Sequence, residues 1–259
     1  MSYLIDKRIL LTGAAGGFGM FFVRRLLEKG AALVVSDLDE NLEAVGSKAP
    51  AGTPGRILGT IGADLASPEG CRHLHEECRK TASTIDIVIH NAGILVYGCY
   101  QDVPIERVYR LMQVNTLSPM HLSALFLPEM IARGSGHMVF ISSVAGFVPT
   151  AYETAYSASK CALRGFGMAL SGELAGAGVS VTNIYPFWAD TRILNSDSFG
   201  RKQARRVPSF LVDSPEKVVS EAIRGIEKRK RHVYPGFFAK AVWQLTRFRP
   251  IVGRQPVTD

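Results

Sequence analysis

Short apolar runs alternate with longer amphipathic stretches through the first 185 residues. The runs at 8–12, 33–36, 56–61, 85–90, 137–142 and 179–185 are rich in Val and Ile and almost continuously hydrophobic. Strands buried on both faces need that continuity, whereas a half-exposed strand alternates, so the pattern predicts a parallel sheet. Between the runs, helical spacing predicts helices near 18–29, 39–47, 67–82, 104–132 and 153–175. A further helix at 215–229 opens on Ser214-Pro215-Glu216-Lys217, with Ser at the cap and Pro in the first turn. A seventh short strand is predicted at 232–234. Strand-helix-strand repetition implies an α/β fold, a doubly wound parallel sheet of about seven strands with helices on both faces. One domain over 1–235 is expected, with an irregular lid-like loop at about 187–213 and a separate tail at 236–259.

Composition narrows the class. The chain has 259 residues, 47% hydrophobic and 20% charged, enough for one large buried core and too apolar for a disordered chain. No apolar run approaches the roughly 18 residues of a spanning helix. The opening Met1-Ser2-Tyr3-Leu4-Ile5-Asp6-Lys7-Arg8 lacks the apolar core of a secretory leader. Four unevenly spaced cysteines make no disulfide framework. A reduced, cytoplasmic protein is expected. Residues 201–259 hold 14 Lys/Arg and 5 Asp/Glu, net +9, while residues 1–200 hold 16 and 18, net −2. All of the basic excess therefore lies in the last part of the chain.

Thr12-Gly13-Ala14-Ala15-Gly16-Gly17-Phe18-Gly19 follows the first strand and opens the first helix. Glycines there let the backbone turn tightly and approach a pyrophosphate, and the helix N-terminus offers amide N–H groups to the anion. Asp37 ends the second strand, 20 residues after Gly17. A carboxylate there accepts from the ribose hydroxyls of an adenosine and repels a 2′-phosphate, so NAD is favoured over NADP. A cap for the following helix is the plainer use of Asp37, and Asp39 suits that job equally.

Tyr156 and Lys160 stand at i and i+4, on one helical face. A fixed ammonium beside a phenol favours the phenolate, which makes the tyrosine a credible acid/base for an alcohol and a ketone. Ser143 lies 13 residues before Tyr156, just past the fifth predicted strand. His90-Asn91-Ala92-Gly93 ends the fourth, and Asn115 falls inside the long helix that follows. The carboxyl ends of strands are where open α/β sheets bind ligands.

With these motifs in order, the sequence resembles the short-chain dehydrogenase/reductase family over roughly residues 5–195. The TGxxxGxG loop runs from Thr12 to Gly19, the NNAG motif appears as His90 to Gly93, and YxxxK is Tyr156 and Lys160. The resemblance implies Tyr156 as acid/base. Lys160 would lower its pKa and hold the nicotinamide ribose, and Ser143 would bind the substrate oxygen. Asn115 would interrupt its helix and hold a water in a proton relay. It further implies cofactor contacts from Gly13, Ala15, Gly17, Phe18 and Gly19, from Asp37, from Asp64 and Leu65 at the adenine, and from Asn91, Ala92 and Gly93 at the ribose. Pro186, Ala189 and Thr191 would border the nicotinamide, Thr191 holding its carboxamide. A homodimer or homotetramer through helices 104–132 and 153–175 is implied as well.

Two departures stand out. His90 replaces the first Asn of NNAG, and Phe187 replaces the glycine that the family places after Pro186. Phe187 and Trp188 imply an apolar, aromatic-lined substrate pocket, completed by 94–100, by Val144, Phe147, Val148 and Tyr152, and by a lid over 192–212. Arg201, Lys202, Arg205 and Arg206 in that lid would meet an acidic substrate or simply face solvent.

As a helix, the tail groups Phe237, Phe238, Ala241, Val242, Leu245 and Phe248 on one face, with Lys240, Gln244 and Arg247 opposite. That face suits either contact with a membrane surface through 236–250, at the inner membrane face, or packing on the protein, with the Lys228–Arg231 run adding attraction to anionic lipid. No motif for nucleic acid accompanies the charge. Cys71, His75 and Cys78 share a helical face without a fourth ligand, and no metal is expected.

The reading is an NAD-dependent enzyme that exchanges a hydride with a secondary alcohol or ketone, the substrate bulky and apolar (lipid-, steroid- or polyketide-like), with oxidation as the working direction. The alternatives are an NADP-linked ketoreductase of fatty-acid or polyketide metabolism and a non-catalytic dinucleotide-binding scaffold docked at a membrane.

Overall fold

The computed structural model describes residues 2–38, 40, 42, 45, 52–191, 193, 196, 198–200 and 207–248. Most of the helix expected at 39–47, the lid cations Arg201, Lys202, Arg205 and Arg206, and the tail beyond 248 lie outside the described residues.

Seven parallel strands form the central sheet: β1 (Arg8–Thr12), β2 (Ala32–Asp37), β3 (Arg56–Gly62), β4 (Ile87–His90), β6 (Gly136–Ile141), β7 (Val179–Ile184) and β9 (His232–Val233). Their spatial order is β3-β2-β1-β4-β6-β7-β9. The chain steps outward from β1 to β3, then returns to place β4 on the other side of β1. That reversal is the switch point of a Rossmann-type sheet, where the loops leaving β1 and β4 diverge and open a crevice.

Near-continuous hydrophobicity has the expected cause. Ile9, Leu11, Leu33, Val35, Ile87 and Ile89 face a core shared with α1 (Gly17–Glu28) and α6 (Pro215–Glu227). Leu10, Val34, Val88, Met138 and Phe140 face the opposite core, under α2 (Pro68–Thr81), α4 (Ser118–Ala132) and α5 (Thr154–Glu173). At roughly 25 cal/mol per Å² of apolar surface, burying both faces is the main source of stability.

The helix expected over 104–132 is not continuous. It divides into α3 (Ile105–Met112), a π-helical turn (Gln113–Leu117) and α4. Asn115 sits in that turn, fully buried, and the wider turn lets its amide meet the loop after β4.

The 192–212 segment, read as lacking a core pattern, carries structure in its described part. Ser198–Phe199 forms β8 and pairs in parallel with β5 (Tyr97–Gly98), making a two-residue strap beside the main sheet. Gly98 has φ 149° and no room for a side chain against the Phe199 backbone. Two-residue strands give no periodicity to read, which is why the strap was missed.

The tail forms α7 (Phe237–Phe248), and its apolar face divides. Ala239 is fully buried and Phe238, Val242 and Trp243 are half-buried against the domain, whereas Phe237 and Leu245 are exposed with Lys240, Gln244 and Arg247. The Lys228–Arg231 run lies between α6 and β9, and α7 follows β9.

Two buried histidines tie the sheet together. His90 stacks on Phe140 at 4.9 Å and its Nε2 lies 3.4 Å from Ser123 Oγ. His137 is 2.8 Å from Thr182 Oγ1. Burial pushes each imidazole down to about 3, with the Arg229 charge adding at His137. Both are neutral in the fold and gain a proton only on unfolding, below the ordinary 6.5. Stability is therefore full above pH 6.5 and falls as pH drops from there toward 3, by about 1.4 kcal/mol per histidine per pH unit. His90→Asn is expected to remove one histidine's share of that slope in urea unfolding across the mildly acidic range; an unchanged slope would mean that His90 is charged in the fold.

Candidate active site

A cavity of about 420 Å³ opens at the carboxyl ends of the strands. Its floor at one end is the loop after β1. Gly13 has φ 66° and lies against the Ala92 backbone, so no side chain fits there. Gly16, Gly17 and Phe18 line the cavity at the start of α1, which has neither a side-chain cap nor an acidic residue in its first turn. The amide groups of that helix end therefore remain available to an anion. Ala15 also lines the cavity, and its N–H donates to Asp37 Oδ2 at 2.9 Å, while Leu38 N–H donates to Asp37 Oδ1. Asp37 is thus held beside the glycine loop at the cavity edge. Gly19 does not reach the cavity. A side chain there would run into the carbonyls of Gly13 and Ala14, so the glycine permits close helix-to-strand packing.

Asn91 closes the switch point. Its side-chain amide donates to the carbonyls of Thr12 at 3.0 Å and Gly13 at 2.9 Å. Thr12 Oγ1 in return accepts from the backbone N–H groups of Asn91 and Ala92. Asn91, Ala92 and Gly93 then line the middle of the cavity. At its far edge Asp64 and Leu65 line the wall, and Ser67 caps α2 by accepting from Gly70 N–H. Arg110, which sequence reasoning did not single out, reaches from α3 to both Asp64 oxygens at 3.4 Å.

The opposite end holds the titratable groups. Ser143, Tyr156 and Lys160 line one wall together. Ser143 starts a 3₁₀ turn and accepts from Ala145 N–H at 3.1 Å. The neighbouring Ser142 is buried and donates to the Lys160 carbonyl at 3.0 Å, which leaves Ser143 as the serine with an exposed flank. Lys160 is 4% exposed, with Nζ donating to the Ile141 carbonyl at 2.9 Å and lying 5.6 Å from the centre of the Tyr156 ring. Burial lowers its ammonium from 10.5 to about 8. Asn115 stands behind this wall without lining it. Its Oδ1 accepts from Ile94 N–H at 2.8 Å, and its Nδ2 donates to the Ile94 carbonyl and to Ser159 Oγ. A side chain built at Gly93 would meet Asn115 Oδ1 at 3.4 Å and Lys160 Nζ at 3.5 Å, so the two converge on that glycine.

The family profile described as short chain dehydrogenase matches residues 7–201. The chain belongs to the short chain dehydrogenase family. Its relatives include the ketoacyl reductase HetN of Nostoc, 28% identical over 233 residues covering 90% of this chain and 79% of HetN. Among solved structures it resembles a short-chain dehydrogenase from Sphingobium yanoikuyae in complex with NADPH, at 25% identity, TM-score 0.80 and 98% coverage of both chains. A short chain dehydrogenase/reductase from Burkholderia phymatum in complex with NAD shares the fold, at 21% identity, TM-score 0.82, and coverage of 100% and 99%. As a short chain dehydrogenase the chain is an oxidoreductase of CH–OH and ketone groups.

The dehydrogenase's remaining expected residues divide. Pro186, Ala189 and Thr191 line the cavity, with Thr191 resting directly on Gly17. Phe187 and Trp188 line it too, their rings 6.1 Å apart. Phe147, expected in the pocket, turns away instead and meets Tyr185, Tyr234 and Trp243 edge-on. Val144, Val148 and Tyr152 likewise leave that wall to Ala145. Glu153, which no motif flagged, is 2% exposed and lines the cavity one turn before Tyr156. Only the folded helix start shows that its side chain is inside. Cys71 and Cys78 are buried in the core and His75 meets Phe126 edge-on at 4.8 Å; among the described residues no three candidate ligands gather. His90, next to Asn91, is buried against Phe140 and Ser123 and does not line the cavity.

Holding Lys160 charged in this wall costs stability at neutral pH, because its ammonium is favourable only below about 8 in the fold and up to 10.5 outside it. Lys160→Met is expected to raise the unfolding free energy at pH 7 by on the order of 1–3 kcal/mol, after the lost hydrogen bond is offset. Calorimetry checks this, and a lowered midpoint would mean that the ammonium stabilises the fold.

Proposed function

We propose that the protein is an NAD(H)-dependent dehydrogenase/reductase interconverting a bulky, apolar secondary alcohol and its ketone. The observation that carries this reading is one cavity with uncapped helix amides and Asp37 at one end and Ser143, Tyr156 and Lys160 at the other. The residues fit a dinucleotide. The first turn of α1 would take its pyrophosphate and Asp37 an adenosine ribose, with Asp64 and Leu65 beside the adenine. Asn91 to Gly93 would border the second ribose with Lys160, and Pro186, Ala189 and Thr191 the nicotinamide. Hydride exchange with the substrate carbon is the chemistry that ring supplies when bound.

The chain's own groups handle the proton and the charge. Ser143 donates to the substrate oxygen and holds it in the cavity. Tyr156 takes the hydroxyl proton in oxidation and returns it in reduction. The Lys160 ammonium, kept close by the Ile141 carbonyl, stabilises negative charge arriving at the phenol oxygen. Asn115 fixes the Ile94 backbone and completes a proton route from Lys160 outward through a bridging water. Phe187 and Trp188 with Ile94, Leu95 and Val114 favour an apolar substrate.

A homodimer or homotetramer belongs to the same proposal. Ile105, Tyr109 and Leu117 are exposed on α3 and the turn after it, and Met168 on α5, the helices expected to pair. No described helix is long and apolar enough to cross a membrane. Contact of the tail with a lipid surface would rest on exposed Phe237 and Leu245.

Tyr156→Phe is expected to lower turnover by about 10²–10⁴-fold while leaving the NADH dissociation constant within a few-fold. Turnover retained in this variant would remove Tyr156 from the chemistry. Asp37→Ala is expected to shift the ratio of NADH to NADPH affinity toward NADPH by about tenfold or more, roughly 1.4 kcal/mol. Fluorescence titration reads it, and an unchanged ratio would take cofactor choice away from Asp37.

A further inference from the structure

Phe187 occupies a special place in the cavity wall. It follows Pro186, whose carbonyl accepts from Val144 N–H at 3.0 Å, so its backbone is tied to the turn that carries Ser143. Trp188 next to it is fixed through its carbonyl, which accepts from Asp213 N–H at 2.7 Å. Phe187 lines the cavity, and its ring meets Phe238 of α7, centroid to centroid 5.6 Å and tilted by 33°. Phe238 does not line the cavity.

The helix that carries Phe238 is fastened at several points. Ala239 is fully buried. Glu221 accepts from Gly236 N–H at 3.3 Å and from Lys240 Nζ at 2.6 Å, joining the start of α7 to α6. Gly236 has φ 85° and packs on the Asp213 carboxylate with no room for a side chain. One turn on, Trp243 stacks on Tyr234 at 4.6 Å and meets Phe147 edge-on at 6.0 Å. Phe147 follows the Ser143 turn. Two aromatic side chains of α7 thus back the two segments that border the reacting end, one directly behind a cavity-lining ring.

We infer that α7 is the outer support of the substrate site, and that Phe238 is a positioning residue that fixes Phe187 and thereby limits how wide a carbonyl substituent the cavity accepts. This rests on the alcohol/ketone reading above. Without the Phe238 ring, a space of phenyl size opens behind Phe187, and one rotation about its Cα–Cβ bond moves it out of the cavity wall. Substrates with large groups on both sides of the carbonyl then gain most, and cofactor contacts at the far end are unaffected.

The test compares reduction of benzophenone with that of acetophenone, by kcat/KM, in the full chain. Phe238→Ala is expected to raise the benzophenone-to-acetophenone ratio at least tenfold, through KM for benzophenone, with the NADH dissociation constant unchanged. Phe238→Tyr should restore the original ratio, and Leu245→Ala, at an exposed position of the same helix, should leave it alone. Phe187→Gly should reproduce the shift, and adding Phe238→Ala to it should change little more, since both act on one ring. A ratio within twofold of the parent in Phe238→Ala, or full additivity in the double variant, overturns the proposal. Should Phe238→Ala not fold, Phe238→Leu takes its place in the same cycle. A readout independent of turnover comes from Trp188 emission in a Trp243→Phe background, where Phe238→Ala should at least double acrylamide quenching; unchanged quenching also overturns the proposal. Absence of turnover of every secondary alcohol and ketone by the parent chain, with the quenching change still present, would strike the alcohol/ketone reading and leave the support of Phe187 by Phe238 standing.

Discussion

Two parallel strands that leave a sheet in divergent directions must have their loops held apart and yet fixed, or the crevice between them collapses. Asn91 meets that constraint at the switch point. Its amide reaches across from β4 to two consecutive carbonyls of the loop after β1, and Thr12 returns two hydrogen bonds to the β4 side. Donors to backbone carbonyls inside a partly buried crevice are costly to lose, about 1–3 kcal/mol for a group left unsatisfied. Everything at the glycine-loop end follows from this clamp. It sets the left-handed turn at Gly13, the direction of α1 and the position of Ala15 against Asp37.

The other end of the cavity is governed by charge in a place that does not favour it. Lys160 is among the few described lysines taken almost wholly out of water, and its Nζ finds a backbone carbonyl rather than a carboxylate. A paired carboxylate would hold its charge more cheaply but would also compete for it. The π-helical turn at Asn115 serves the same region, since its wider radius brings an amide to Ile94 and Ser159 without breaking the helix line between α3 and α4. Where the sheet interior is built for packing, this wall holds a buried ammonium whose burial disfavours its charge.

The substrate end depends on a third layer. Two sets of rings join α7 to the domain: Phe238 meets Phe187 of the cavity wall, and Trp243 meets Tyr234 and Phe147. Aromatic contacts of this kind contribute about 0.5–1.5 kcal/mol per pair beyond their buried area. Helix α7 is therefore packed on the domain through Phe238, Ala239 and Trp243, with Phe237 and Leu245 left to solvent.

The strand pattern was legible in the sequence because burial on both faces leaves continuous Val- and Ile-rich runs; six strands of the main sheet lie where those runs fall, and the seventh, β9, lies within the short strand predicted at 232–234. The glycine loop, Asp37 and the Tyr156–Lys160 pair were legible because their spacing is local: one loop, one strand end, one helical turn. The two-residue strap of β5 and β8 was not, since pairing between Tyr97 and Ser198 is a contact across a hundred residues with no period of its own. The inward position of Glu153, the outward turn of Phe147, the packing part of Gly19 and the division of the α7 face were likewise invisible. Periodicity tells which residues share a face of an element. What that face meets is set by the packing of other elements against it, so the sequence by itself determined the sheet and the candidate site residues, and the tertiary structure alone decided which side chains surround them.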